Sequence, residues 1–371
     1  MRSTFYYSHE LAEYHFGPDH PFKPERAQKT YELCNRYGVL NGPGIRLKSP
    51  PKLGREKLLL AHSEQYLDAL ERVSNGELFQ DMLRYGIGTE DNPPLMGIYE
   101  WATMCAGATW ESMVSLLEGS ADIAFNPMGG FHHALRSQAE GFCYINDLVI
   151  AINEALAQAK RITYIDIDAH HGNGVQEAFY RDSTVQFISM HESGKFLYPF
   201  SGALDEWGEG EGQGFTINIP LPPNTDDELY LEAFHRVVIP LVKGFEPDLL
   251  VAQIGADTMI SDPLTDLMLT NNSYTEVVRN LKGLCGKILA TGGGGYDIYR
   301  TARCWTLAWA ILNGIKPEDG FAGLVGGMMF GPEMEVSSLH DRPYTVTGPQ
   351  KDRLRREVGH TIEFLVKRHN L

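Results

Sequence analysis

No C-x-x-C pair occurs in this chain, and its five cysteines (Cys34, Cys105, Cys143, Cys285 and Cys304) are scattered and odd in number. That spacing excludes a disulfide framework and a thiolate zinc site, and it fits free thiols in a reducing compartment. No segment approaches the ~18–20 consecutive apolar residues of a membrane span. The start, Met1-Arg-Ser-Thr-Phe-Tyr-Tyr-Ser-His9, lacks the long apolar stretch of a signal peptide. A cytoplasmic protein without membrane contact is therefore expected. Basic charge is scarce: 32 Lys and Arg stand against 48 Asp and Glu, a formal net charge of −16. Phosphate binding needs a basic surface, so no direct nucleic-acid partner is expected. An acidic surface instead favours cationic peptides or polyamines. Neither an internal repeat nor a linker rich in Pro, Gly or Ser divides the 371 residues.

What is present is an alternation of apolar runs and helical patterns. Strand candidates are Thr4–Tyr7, Asp122–Asn126, Ile162–Ile167, Val185–Met190, Thr216–Ile219, Leu249–Ile254 and Lys287–Thr291. Helical patterns occupy Glu56–Val73, Met96–Leu117, Asn146–Ala159, Asp226–Lys243, Tyr274–Cys285 and Tyr299–Asn313. Strands separated by helices indicate a parallel sheet sandwiched by helices on both faces, an α/β fold. The alternation fades from Lys316 onward, and Asp352–His369 reads as a last surface helix. One domain over 1–371 is the expectation, with the motifs in a core of about 6–314 and a tail, 315–371, that packs on or extends it.

In open parallel sheets, function gathers beyond the carboxyl ends of the strands. Asp168 and His170 follow the buried run Ile162–Ile167 and, two residues apart, project to one side in strand geometry. With Asp257, which follows Leu249–Ile254, they supply two carboxylates and one imidazole. Such a set leaves positions for water and substrate, the pattern of a catalytic zinc. Donors without thiolate also accept Fe²⁺, Co²⁺ or Mn²⁺. Alone, Asp168 reads equally as a helix cap and His170 as a satisfied polar residue, but other strand ends add to them. His132-His133 follows Asn126-Pro-Met-Gly-Gly130, His191 follows Val185–Met190, and Gly292-Gly-Gly-Gly-Tyr296 follows Lys287–Thr291. Adjacent histidines rarely share a face, so both reach one site only from an irregular loop, which Gly129-Gly130 provides. Imidazoles beside a metal suit general base and acid. The glycine run matches neither G-x-G-x-x-G nor a Gly-Lys-Ser/Thr phosphate loop. It lets the backbone approach a ligand and aims Tyr296 inward, where a phenol donates to a developing oxyanion.

Phe131-His-His133, Gly141-Phe-Cys-Tyr-Ile-Asn-Asp147, Asp166-Ile-Asp-Ala-His-His-Gly172, Gly255-Ala-Asp257 and Gly292-Gly-Gly-Gly-Tyr296 resemble the zinc-dependent histone deacetylase family. The order and spacing look most like its class I branch and the bacterial deacetylase-like and acetoin-utilisation proteins. The similarity runs from about Tyr6 to Gly314, and Thr301-Ala-Arg-Cys-Trp305 adds to it. The resemblance implies an arginase/deacetylase-type fold and hydrolysis of an Nε-acyl-lysine amide. It implies zinc on Asp168, His170 and Asp257, with Fe²⁺ as a cellular alternative. By the same resemblance, His132 and His133 are the paired catalytic histidines, backed by Asp166 and Asn173, and Tyr296 polarises the substrate carbonyl. Gly141 and Phe142, with Tyr198 opposite, resemble the tunnel for the acyl-lysine stem; Gly294 and Leu264 belong to the same pocket. Asp91, or its neighbour Glu90, matches the acid that grips the substrate backbone, and Arg26 the arginine of an acetate-release channel. Structural potassium is implied at an inner site of Asp166, Asp168, His170, Ser189 and Met190, and an outer one of Phe179, Asp182, Val185 and Phe215. The implied partners are an acyl-lysine protein or peptide, an acetyl-CoA synthetase in the acetoin-utilisation relatives, or an acetylpolyamine. No long insertion of the kind expected for polyamine-enzyme dimers is evident, so a monomer is preferred. Arginase-like ureohydrolases share the fold but want further aspartates where this chain has Gly172 and Met259.

Two departures stand out. Tyr198 replaces a phenylalanine usual in the tunnel wall. Asn173 replaces the class I aspartate behind the second histidine, with the amide common in class II enzymes. An amide oxygen orients the ring but adds no negative charge, so His133 is expected to be less readily protonated than with an Asp partner, while His132 keeps Asp166. Asn173→Asp should therefore move the acidic limb of the pH–rate profile upward, and an unmoved limb would remove Asn173 from this role.

Overall fold

Strands β1 (Ser3–Tyr6), β2 (Ile45–Lys48), β3 (Ile123–Asn126), β4 (Ile162–Asp166), β5 (Val185–Glu192), β6 (Thr216–Leu221), β7 (Leu249–Gln253) and β8 (Ile288–Thr291) are all short. They form one parallel sheet in the order β2-β1-β3-β8-β7-β4-β5-β6. A computed structural model gives this architecture and describes residues 1–158, 160–317 and 339–371.

Parallel neighbours need long crossovers, so each face of the sheet acquires helices. Side chains alternate along the strands into two apolar layers. Leu250 and Ala252 of β7, and Ile288 and Ala290 of β8, enter one layer. It also holds residues of helices Glu25–Arg36, Asn271–Leu284, Ile298–Asn313 and Gly348–His369. Leu249, Val251 and Leu289 enter the other, beneath helices Glu64–Ser74, Ile98–Leu117 and Asp147–Leu156. The α/β fold expected from the sequence is the fold observed. No helix among the described residues is long and apolar enough to cross a membrane.

Differences from the sequence expectation are local. The edge strand β2 carries only four residues with two exposed at its centre, too little pattern to announce a strand. The pattern Glu56–Val73 divides into helices Arg55–Leu58 and Glu64–Ser74. Its second part restarts where Ser63 Oγ caps the Tyr66 N–H. The pattern Asp226–Lys243 contains a widened turn, Phe234–Val238, just before Pro240, which cannot donate a helical hydrogen bond. Helices Glu25–Arg36 and Asn173–Phe179 were not anticipated, and the last helix begins at Gly348 rather than Asp352. Ala159, at the end of one expected helix, lies outside the described residues, as do 318–338 of the tail.

The last helix is amphipathic. Leu354, Val358, Ile362 and Leu365 are buried, and the helix packs on β6 and helix Asp227–Ala233. Lys351 Nζ reaches both carboxylate oxygens of buried Asp226 at 2.6 Å. Asp226 also accepts from Val346 N at 2.9 Å. An ion pair this deep gains little over apolar packing but fixes where the helix docks.

Candidate active site

The carboxyl ends of β3, β8, β7, β4 and β5 are consecutive in the sheet, so the loops leaving them meet above its centre. Register sets which residues face each other. Asp166 of β4 pairs with Gln253 of β7, and the chains run on side by side, Ile167 N donating to Gln253 O at 3.0 Å. Asp168-Ala-His170 therefore lies beside Gly255-Ala-Asp257, and Ala169 N donates to Asp257 Oδ1 at 2.8 Å. The β7 and β8 exits continue together through Ala256 N to Gly294 O at 2.9 Å. That pairing leaves Tyr296 two residues beyond the contact.

Asp168, His170 and Asp257 converge. Their candidate ligand atoms all lie within 4.8 Å of one another, and all three residues are buried. His170 Nδ1 stands 3.1 Å from Asp168 Oδ1 and 2.8 Å from Asp257 Oδ2. Burial opposes charge on the imidazole, yet the hydrogen bonds and charges of the two aspartates push it up to about 10. For the carboxylates, burial and mutual repulsion resist a second negative charge, most visibly at Asp257. Two carboxylates and an imidazole so close need positive charge between them, and a divalent cation supplies it with matched donor chemistry. Gln253 Nε2 and Gly294 N both donate to Asp168 Oδ2, at 2.7 and 2.6 Å, fixing the carboxylate that faces the site.

The histidine pair stands beside this cluster. Asp147, buried at the start of its helix, accepts from Gly130 N at 2.9 Å and Phe131 N at 2.8 Å. It thereby pins the loop that carries His132 and His133. His132 Nδ1 lies 2.8 Å from Asp166 Oδ2, which also takes the Tyr164 hydroxyl at 2.5 Å. His133 Nδ1 lies 2.7 Å from Asn173 Oδ1, and the two Nε2 atoms stand 3.1 Å apart. Burial disfavours charge on both rings. At His132 the Asp166 and Asp168 charges overcome burial and raise it. At His133 burial and the neighbouring His132 and His170 charges hold it well below the ordinary histidine range, against the Asn173 hydrogen bond and the Asp168 charge. The two adjacent rings are thus pushed in opposite directions.

Tyr198 and Gly141 lie against His133, and Phe142 against Tyr296. The Tyr198 ring packs edge-on against His133 at 5.2 Å, and Phe142 against Tyr296 at 5.8 Å. A Cβ on Gly141 would fall 2.4 Å from His133 Cδ2, so a glycine is required there. Phe142 itself takes φ of 68°, a strained conformation for a bulky residue. Tyr296 is half-buried; burial and the Asp257 and Asp168 charges keep its phenol protonated. Arg26 is buried beneath it, donating to Gly295 O at 2.9 Å, with its guanidinium 4.5 Å from the Phe22 ring centroid and 5.1 Å from that of Trp305. Asp91 is exposed near Tyr198 and lends its carbonyl to His20 at 3.1 Å. Leu264 is half-buried; its N–H and that of Tyr296 share the Asp262 carboxylate, at 3.0 and 2.9 Å.

Ser189 pairs with Asp166 in register beside Met190, and Ser189 Oγ meets His191 Nδ1 at 2.9 Å. Phe215 O accepts from Phe187 N, two residues past Val185, at 2.8 Å, and Phe179 O from Asp182 N at 3.0 Å. Sequence reasoning missed Gln253, Asp262, Tyr164 and the loop-pinning role of Asp147. His20, whose ring meets Phe142 at 4.8 Å, also went unnoticed. Only Asp147 had a signal, its place in Gly141-Phe-Cys-Tyr-Ile-Asn-Asp147.

Residues 20–312 match the histone deacetylase domain model. The acetoin utilization protein AcuC of Bacillus subtilis (strain 168) is 38% identical over 323 residues, 85% of this chain and 83% of that protein. Human histone deacetylase 1 is 35% identical over 352 residues, 92% of this chain and 70% of that protein. The crystal structure of a deacetylase homologue from Aquifex aeolicus superposes with a TM-score of 0.84 at 32% identity, covering 98% of this chain and 99% of that one. With its sheet, its strand-end donors and its sequence all pointing one way, the chain belongs to the histone deacetylase family, whose members are deacetylase hydrolases.

Proposed function

We propose that the chain removes acetyl or another short acyl group from Nε-acyl-lysine in proteins or peptides, with Zn²⁺ held by Asp168, His170 and Asp257 and Fe²⁺ as the cellular alternative. One observation carries this reading. The rings of His133 and Tyr296 both stand perpendicular to His170, with centroids 5.9 and 6.2 Å away. A proton acceptor and a phenol donor thus flank the same three-donor cluster. A divalent cation bound there supplies Lewis acidity toward water and the amide carbonyl. His133, neutral and with Nδ1 bonded to Asn173, takes a proton from the attacking water at Nε2. The Tyr296 hydroxyl donates to the carbonyl oxygen as it gains charge. The proton on His133 then passes to the lysine nitrogen as the C–N bond breaks. His132, holding its charge beside Asp166, stabilises this side of the site without exchanging roles. Arg26 offers buried positive charge for the departing carboxylate.

A protein substrate of the acetyl-CoA synthetase kind, the one implied by the resemblance to acetoin-utilisation proteins, is our first choice. An acetylpolyamine is the alternative, favoured by the acidic charges of Glu140, Asp91 and Glu177 at the mouth. Potassium at the two groups of β4, β5 and loop residues, a monomer and a cytoplasmic location complete the proposal. A ureohydrolase with two metal ions is disfavoured. A side chain at Gly172 would begin 2.5 Å from Asp166 Oδ2, and Met259 lies in the apolar core.

Hydrolysis of a panel of acyl-lysine peptides and acetylpolyamines tests the substrate class; peptides should turn over faster, and a preference for polyamines would install the alternative. Tyr296→Phe should lower kcat by about 10²–10³-fold through loss of one oxyanion donor, and wild-type turnover would remove the phenol from the mechanism. Because the two carboxylates hold the His170 proton up to about 10, a divalent cation must displace it at neutral pH. Zinc affinity should then rise with pH, with net proton release on binding near pH 7.5. Calorimetry in buffers of different ionisation enthalpy measures this, and proton-free binding would place the ion elsewhere.

A further inference from the structure

The glycines before Tyr296 are there because the chain passes close to its neighbours. A Cβ on Gly294 would overlap the Asp257 carboxylate, and one on Gly295 the Thr301 hydroxyl. Gly293 and Gly295 also take φ of 145° and 128°. Such residues give the backbone a freedom that a placed phenol cannot tolerate, so the run needs anchors. Gly292 N donates to Asn126 O, and Gly294 O accepts from Ala256 N, both at 2.9 Å. Gly295 O accepts from the Arg26 guanidinium at 2.9 Å. The last anchor falls on Tyr296 itself, whose N–H donates to Asp262 Oδ2 at 2.9 Å.

Asp262 is out of keeping with its surroundings. It is only 7% exposed, although Ser261 and Pro263 on either side of it are exposed. A carboxylate so buried needs hydrogen-bond partners. Its loop is rooted beside the donor Asp257: Leu269 N donates to Thr258 O at 3.2 Å, and Ile260 N to Leu269 O at 2.7 Å. A tight turn, Asp262 N to Met259 O at 3.0 Å, then brings the acid inward. Pro263 disfavours helical backbone at Asp262 and so limits the directions open to its side chain. Capping its own turn takes one oxygen, Oδ1, which accepts from Leu264 N at 3.0 Å. The other oxygen reaches across to the neighbouring strand exit. Two rungs thus join the exits of β7 and β8, Ala256 to Gly294 and Asp262 to Tyr296. Without the second, the chain pivots at Gly295 and the phenol moves with it. We propose that Asp262 is a positioning residue: by accepting the Tyr296 N–H it holds the phenol at the reach from Asp168, His170 and Asp257 that oxyanion donation requires.

This inference rests on Tyr296 as the oxyanion donor, but its first readout does not depend on turnover. Crystals of the full zinc-loaded chain carrying Asp262→Ala should show the Tyr296 hydroxyl displaced, or spread over several positions, by about 1 Å or more, a shift large enough to slow a reaction. Asp168, His170 and Asp257 should stay in place. Against an acetyl-lysine peptide, kcat should fall about 10–10²-fold with KM within about twofold, the pattern of a misplaced transition-state donor. In a Tyr296→Phe background no phenol is left to place, and adding Asp262→Ala should change kcat less than about twofold. An acid that only supports its loop would lower kcat equally in both backgrounds. If Asp262→Ala does not fold, Asp262→Asn carries the same cycle, because one of the two N–H groups then faces an amide donor. An unmoved Tyr296 in the variant crystals, or an equal loss of kcat in both backgrounds, overturns the proposal. A displaced Tyr296 in a protein whose unsubstituted form hydrolyses no acyl-lysine would instead overturn the assigned substrate.

Discussion

Two buried carboxylates facing one imidazole nitrogen, at 3.1 and 2.8 Å, are the constraint on which the rest of this molecule turns. Carboxylates so near each other in a medium of low polarity repel strongly. The His170 imidazole between them is drawn toward its charged form, and the surrounding chain leaves them no retreat. The backbone part is explicit. Asp168 is held by Gln253 and Gly294, and Asp257 accepts from Ala169 N. These bonds cross between the exits of β4, β7 and β8. The pairing of β4 with β7 and of β7 with β8 is thus the framework of the charge cluster, and a slip by one residue in either would disperse it.

Around this cluster the protein treats its two histidines unequally. Asp166, with Tyr164 as its own partner, stabilises charge on His132. His133 receives a neutral amide and the repulsion of two neighbouring rings. The inequality does not require different ring environments in the usual sense, since both are buried. It follows from the Asp166 and Asp168 charges at His132 and, at His133, from the His132 and His170 charges with a neutral amide as partner.

Much of this was legible in the chain itself, and the exceptions have physical causes. The β-branched runs that became β4, β5, β7 and β8 are buried on both faces, so they read as apolar blocks whatever their partners. The donors at their ends stand out because Asp and His directly after such blocks have no packing reason to be there. Gln253 and Asp262 were opaque because an amide closing a strand or an acid in a loop carries no local signal. Their roles exist only once register brings them to Asp168 and Tyr296. Strand β2 was missed because an exposed edge of four residues has no periodicity to display. The break within Glu56–Val73 was overlooked because Ser63 was read as one turn of a helix rather than the cap of the next.

The central claim is that one divalent cation sits among Asp168, His170 and Asp257. Diffraction from crystals of the zinc-loaded protein on either side of the zinc absorption edge tests it most directly. The account requires a single strong anomalous peak about 2.0–2.2 Å from the histidine nitrogen and the carboxylate oxygens, with the Tyr296 hydroxyl turned toward it. A peak held by other residues, or no peak in zinc-loaded crystals with these three side chains ordered, would contradict it.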